Sequence, residues 1–159
     1  MSYRRSVNHT EVFDSPASAV WHIIEDWASI VDWMPQGIIA SLELEGSGVG
    51  AIRHIVTREG VPIAERLDRA DEGQGRLELS ILDPLPWSML SYTALAQLDE
   101  QGPNNCSLRW EGQFELPENG PEADALADFL EKSYRQRFKG IRRQLSLTAA
   151  PMPCRRGGG

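Results

Sequence analysis

One apolar stripe at helical spacing closes the chain, and nearly everything ahead of it reads as strand. Leu126, Phe129, Leu130, Tyr134, Phe138, Ile141 and Leu145 recur three or four positions apart, which lines them up on one face of a helix running to about Thr148. A single such helix cannot hide its apolar face alone. The segments available to cover it alternate apolar and polar residues: Val7 to Phe13, Ile38 to Leu44, Ala51 to Arg58, Ile63 to Asp71, Arg76 to Leu82, Ser88 to Asp99 and Cys106 to Leu116. This period-two pattern predicts strands. Gly46-Ser-Gly-Val-Gly50, Glu72-Gly-Gln-Gly75, Asp83-Pro-Leu-Pro86 and Glu100-Gln-Gly-Pro-Asn-Asn105 are turn sequences, and connections this short imply an antiparallel meander.

Between the first two strands, Ser15-Pro16 is a helix-start signal, serine as cap and proline in the first turn. Val20, Ile23, Ile24 and Trp27 then follow helical spacing, and a second short helix through Ile30 and Val31 ends at Trp33-Met34-Pro35, where proline forbids continuation. The class is therefore α+β. One amphipathic helix against one long sheet forces the sheet to curl if its apolar face is to be hidden. A curled sheet gripping a helix leaves a hollow.

The 159 residues suit one domain, expected over residues 1–148, with the Pro- and Gly-rich tail from Ala149 to Gly159 too polar to order itself. No run approaches the roughly 18 apolar residues of a membrane span, so no integral membrane association is expected. The arginines of the first residues precede no apolar segment, which gives a cytoplasmic expectation. A net charge of -7 and a pI near 5.0 argue against a nucleic-acid partner, because phosphate binding relies on lysine and arginine. Cys106 and Cys154 form no disulfide framework and read as free thiols. His9, His22 and His54 have no metal-ligand spacing, and Gly46 to Gly50 joins two strands and opens no helix for a phosphate. No metal and no cofactor is expected; the partners are an apolar or aromatic small molecule and, as a homodimer, a second copy of the chain.

Particular strings carry a resemblance. Phe13-Asp-Ser-Pro-Ala-Ser-Ala-Val-Trp21, Trp27 with Trp33-Met34-Pro35, Gly48-Val-Gly-Ala-Ile-Arg53, Glu65-Arg66-Leu67 and Trp110-Glu-Gly-Gln-Phe114 together resemble the START-like (SRPBCC) superfamily, and within it the polyketide cyclase/dehydrase branch. The superfamily includes the birch-pollen allergen class, plant abscisic-acid receptors, lipid-transfer START domains and aromatic polyketide cyclases. The resemblance implies a helix-grip fold, a curved antiparallel sheet of about seven strands wrapped on the long helix around a cavity. The stretch from Gly50 through Gly60-Val61-Pro62 to Leu67 is similar to the receptor branch, where the glycine-proline turn is a gate; the Pro117-Glu118 entry into the last helix agrees.

In the strand after that turn, Ile63, Glu65 and Leu67 share one face. A carboxylate facing a cavity is costly unless paired or hydrated. Glu65 is therefore either a ligand contact or acid/base group, or a member of an internal ion pair. Arg53 shares a face with Ile55 and Thr57 and is its candidate partner. If the two pair, Glu65 stays ionised and is a poor general acid at neutral pH. Tyr92, beside Ala94 and Ala96 and on the face of Leu90, reads either as a hydroxyl for a ligand oxygen or as a core aromatic. Trp110 lies on the face of Leu108, Gly112 and Phe114, where the glycine leaves a gap for a flat ring or the stripe is plain core.

Glu65, Tyr92 and Arg53 are thus the catalytic candidates. The expected ligand wall is Ile55, Thr57, Val61, Pro62, Leu79, Trp87, Trp110, Phe129, Leu130 and Ser133. Arg137 borders the same helix stripe and reads either as a contact for a ligand oxygen or, more readily, as a solvated cation. Three functions fit this wall: a cofactor-independent cyclase or dehydratase steered by Glu65, Tyr92 and Arg53; a carrier or sensor with Val61-Pro62 and Leu85-Pro86-Trp87 as lids; and a lipid-transfer module with an apolar rim at Pro84 to Trp87.

Overall fold

The structure is a computed structural model that describes residues 2–149. The chain runs β1 (Tyr3–Phe13), α1 (Ala17–Glu25), α2 (Ile30–Trp33), β2 (Ile39–Glu45), β3 (Ile52–Thr57), β4 (Pro62–Asp71), β5 (Arg76–Ile81), β6 (Ser91–Gly102), β7 (Asn105–Leu116) and α3 (Pro121–Ala149). The strands form a single seven-stranded sheet in the order β1-β7-β6-β5-β4-β3-β2, with every neighbouring pair antiparallel. Each neighbour is a sequential hairpin except β1, which lies beside β7 from Tyr3↔Leu116 to Phe13↔Cys106. This is the helix-grip arrangement. Register shifts at Ile39/Ser41, Leu67/Arg69 and Glu100/Gly102 are bulges, which bend the strands that carry them.

Several boundaries differ from the sequence reading; β6, for one, runs on to Gly102 through part of the expected turn. β1 starts at Tyr3 and not Val7, because its ladder with β7 continues through the polar residues Arg4, Arg5 and Ser6. β6 starts at Ser91 and not Ser88, because Trp87 and Ser88 have φ of 58° and 61°, which no extended strand tolerates. At the start of α1 the cap position is Pro16, with no side-chain cap, so Ser15 does not play the role its sequence position suggested. Helix α3 continues through Ala149; the rest of the tail, with Cys154, lies outside the described residues. Among those residues no helix is long and apolar enough to cross a membrane.

The core sits between α3 and the sheet face that the alternation of β7 selects: Cys106, Leu108, Trp110, Phe114 and Leu116 are buried while their neighbours are not. From α3, Tyr134, Phe138 and Ile141 are fully buried. The Phe138 ring meets Phe13 at 5.8 Å and His9 at 5.2 Å between centroids. Burying each such side chain stabilises by about 1.5–3 kcal/mol. Arg142 clamps the same end from outside. It donates to Glu11 Oε1 at 2.6 Å and to the Val12 carbonyl at 2.8 Å, with its guanidinium 4.3 Å over the Phe13 ring.

Helix α2 is fixed to α3 by a close backbone approach. A Cβ on Gly140 would stand 1.6 Å from the Trp33 carbonyl oxygen, so only glycine lets the two helices touch. Arg143 and Gln144 donate to the Asp32 carbonyl at 3.2 and 3.0 Å, satisfying an acceptor that a helix end otherwise leaves open. One end of α3 is thereby anchored, and its middle lines a hollow beyond the core. Gly140→Ala is expected to lower stability by on the order of 3 kcal/mol, read as a lower urea midpoint with unchanged slope. An unchanged midpoint would contradict this packing.

Candidate functional site

The hollow has a volume of about 340 Å³ and lies between the middle of α3, strands β3 and β4, and the passage from α2 into β2. Ile30, Met34, Ile39, Ile55, Ile63 and Ile81 make much of its wall apolar, at the small end of the size range of ligand pockets. Among the described residues no cluster of three or more His, Cys, Asp or Glu could hold a metal ion.

Its polar centre is a buried ion pair. Arg53 and Glu65 stand opposite each other in the β3-β4 ladder, as the hairpin register dictates, and both are buried. Arg53 Nε donates to Glu65 Oε1 at 2.7 Å, and Nη2 lies 2.7 Å from the same oxygen. Oε2 receives no donor among the described residues. Arg53 also donates through Nη1 to the Trp27 carbonyl at 3.2 Å and lies 3.6 Å over the Trp27 ring. Trp27 returns the contact, donating Nε1 to the Glu65 carbonyl at 3.1 Å.

Burial pushes the Glu65 pKa up, but the charges of Arg53 and Arg137 and the hydrogen bond from Arg53 outweigh it and hold the carboxyl below its usual range. Glu65 is therefore a carboxylate. Burial lowers the Arg53 pKa, Glu65 pulls it back up and the like charge of Arg137 lowers it again; the net shift is downward, yet a guanidinium keeps its proton.

Beside the pair, the hydroxyls of Tyr92 and Tyr134 are 2.6 Å apart. Burial is the largest influence on both and raises both pKa values, so the phenols stay protonated and able to donate. Gly112 makes their meeting possible, since a Cβ there would lie 2.0 Å from the Tyr134 hydroxyl and 3.0 Å from that of Tyr92. The gap at Gly112, read from the sequence as room for a flat ring or as plain core, is filled by these two hydroxyls.

Of the expected site residues, Glu65, Tyr92, Ile55, Thr57, Val61, Trp87, Phe129, Leu130 and Ser133 line the hollow, and Arg53 stands behind Glu65. Three expected wall residues stand elsewhere. Pro62 is exposed, because Val61 and Ile63 on either side face inward and alternation turns it away. Leu79 lies further along β5 than Ile81, packed in the core at 1% exposure. Trp110 is covered by Trp33 and Tyr134, with centroids at 6.2 and 6.3 Å. Leu90, expected on the face of Tyr92, is exposed ahead of β6.

The largest correction concerns Arg137. Instead of reaching solvent it lines the hollow, and its Nε is buried without an acceptor. Its guanidinium is 5.3 Å from the Trp110 ring and 5.9 Å from that of Tyr134. Solvent was the favoured of two readings, although Arg137 falls four positions after Ser133, on the same helix face. Tyr134 was read only as part of the apolar stripe.

The sequence profile described as "Polyketide cyclase / dehydrase and lipid transport" matches residues 4–146. The chain belongs to this family. No curated protein sequence matches it. Among solved structures, norcoclaurine synthase from Thalictrum flavum in complex with dopamine and hydroxybenzaldehyde aligns with a TM-score of 0.76 and 16% identity, covering 94% of this chain and 90% of that one. The XoxI protein from Bacillus cereus aligns at 0.73 with 23% identity over 90% and 97%. A Thermobifida fusca protein solved by solution NMR aligns at 0.73 with 21% identity over 91% and 95%. At these identities the likeness is one of fold, and it places this polyketide cyclase/dehydrase family member among helix-grip proteins.

Removing one partner of a buried pair strands the other charge. Glu65→Leu is expected to destabilise by about 3–5 kcal/mol at neutral pH, with most of it recovered in the Arg53→Met/Glu65→Leu double variant, measured by urea unfolding. Losses that simply add would contradict the pairing. Because the folded Glu65 pKa lies below the unfolded value of about 4.3, its contribution is complete above that pH and is lost as pH falls through the folded pKa. The double variant is therefore expected to lose less stability than wild type over that acid range.

Proposed function

We propose that the hollow binds an apolar or aromatic small molecule and that the protein is a cofactor-independent cyclase or dehydratase for ketone-bearing, polyketide-like chains. The observation that carries this reading is one carboxylate oxygen, Glu65 Oε2, left without a donor among the described residues on a wall that also holds the Tyr92 hydroxyl, bonded behind the wall to Tyr134. Family membership supports it, as does the same fold holding dopamine and hydroxybenzaldehyde in norcoclaurine synthase.

A carboxylate with a depressed pKa is a weak base that starts the reaction without a proton to give, so Glu65 opens the sequence as a base and not as an acid. A weak base suits a carbon acid activated by two flanking carbonyls, as in a poly-keto chain. Glu65 Oε2 takes the proton from that carbon, and the electron pair moves onto a carbonyl oxygen. The Tyr92 hydroxyl, backed by Tyr134, donates to this oxygen as its charge grows. The enolate carbon then bonds to a second carbonyl carbon brought near by the confined, folded chain. The alkoxide left on that carbonyl takes the proton back from Glu65, which closes the ring; Glu65 then removes the second hydrogen of the attacking carbon and passes it to the departing hydroxyl, which leaves as water and restores the carboxylate. Arg53 keeps Glu65 ionised and oriented, and the volume between Trp87 and α3 sets the chain length accepted.

Glu65→Gln keeps the volume of the side chain and an acceptor for Arg53. Exchange of the α-hydrogens of ethyl benzoylacetate into D₂O, followed by proton NMR, is expected to run at least about a hundredfold slower in this variant than in wild type, with the ester binding equally well. Equal exchange rates with equal binding would remove the base and leave a carrier; absence of saturable binding in wild type would remove the ligand reading itself.

A further inference from the structure

The whole chain carries a net charge of -7, yet the hollow is electropositive. Arg58, Lys132 and Arg137 line it against Glu59 and Glu65, and Arg53 behind the wall is a fourth cation, paired with Glu65. Glu65 is already committed to Arg53 through Oε1. Arg58, Glu59 and Lys132 are exposed at the mouth, where solvent screens them. Arg137 is different: it is half-buried, pairs with no carboxylate among the described residues, and has a buried Nε with no acceptor. A buried donor without an acceptor costs roughly 1–3 kcal/mol, and the aromatic rings of Trp110 and Tyr134 beside this guanidinium supply a face but no oxygen. Arg137 thus lines the hollow as a cation whose hydrogen-bonding capacity the described residues do not fill.

We infer that the ligand of this site is an apolar or aromatic carboxylate whose ionised oxygens are taken by Arg137, with Arg58 and Lys132 drawing it to the mouth. This rests on the ligand-binding reading above and specifies its chemical class. The apolar body lies against Ile55, Ile63 and Ile81, and the acid group meets Arg137 at the α3 wall. A guanidinium offers a carboxylate two parallel donors, and long-range attraction to exposed cations speeds entry and weakens with salt. In the chemistry proposed for Glu65, the same contact fixes one end of the chain and so decides which carbonyls meet the base.

The test uses 8-anilinonaphthalene-1-sulfonate and its uncharged sulfonamide as probes of one shape, the sulfonate standing for the ligand's carboxylate. Fluorescence titrations are run on wild type, Arg137→Met, and Ser133→Trp, which fills the hollow. Wild type is expected to prefer the sulfonate. Arg137→Met is expected to weaken sulfonate binding roughly tenfold to a hundredfold, the equivalent of one charged hydrogen-bonding contact, while sulfonamide affinity changes by less than about threefold; the unchanged sulfonamide affinity also reports that the variant is folded. Ser133→Trp is expected to lose both probes. Equal affinities of wild type for the two probes, or an Arg137→Met loss shared equally by both, would overturn the carboxylate assignment and leave a hollow for neutral ligands. Binding that Ser133→Trp does not disturb would instead overturn the hollow as the binding site.

Discussion

The pairing of Arg53 with Glu65 is the contact on which the site depends. It crosses the β3-β4 hairpin, and through the Trp27 carbonyl, ring and indole nitrogen it ties the segment after α1 to the sheet. Removing two charges from water is costly, and an apolar pair of similar volume often serves stability as well or better. Stability alone does not account for the pair. What it provides is a carboxylate fixed in place, ionised, and open on one oxygen toward the hollow.

The remaining polar groups follow from that carboxylate. Tyr92 and Tyr134 are neutral donors held together over a glycine, and Arg137 supplies a second positive charge that helps keep Glu65 ionised. The wall thus carries one carboxylate, the Tyr92 hydroxyl and a guanidinium without a carboxylate partner among the described residues, in an otherwise largely apolar lining. The anchoring of α3 against α2 at Gly140 and against β1 through Arg142 keeps the helix that carries Tyr134 and Arg137 from shifting relative to the sheet.

Most of the fold was legible because it follows from periodicity and turn chemistry: a 3.6-residue stripe at one end, period-two segments before it, and short turns between. The hairpin through Gly60 brings Arg53 opposite Glu65, so that pair was legible too. Pro62 was misjudged where plain alternation already pointed it outward. Leu79 and Trp110 were assigned the correct face, but depth along a face is set by how α3 crosses the sheet, which no local pattern records. The late start of β6 comes from left-handed backbone at Trp87 and Ser88, for which neither residue type gives a signal. For Arg137 solvent was favoured over a ligand contact because a long cation beside an apolar stripe is ordinarily solvated; the aromatic rings and hollow around it in the folded chain show otherwise.

The central claim is that Glu65 is a buried, arginine-held carboxylate. The side-chain carboxyl carbon of Glu65, followed by carbon NMR through an acid titration of the folded protein, tests it directly. The account predicts a midpoint below the ordinary glutamate value, moving upward in Arg53→Met. A midpoint above that value in wild type would mean that burial prevails over the arginines, making Glu65 a neutral acid and reversing its assigned role.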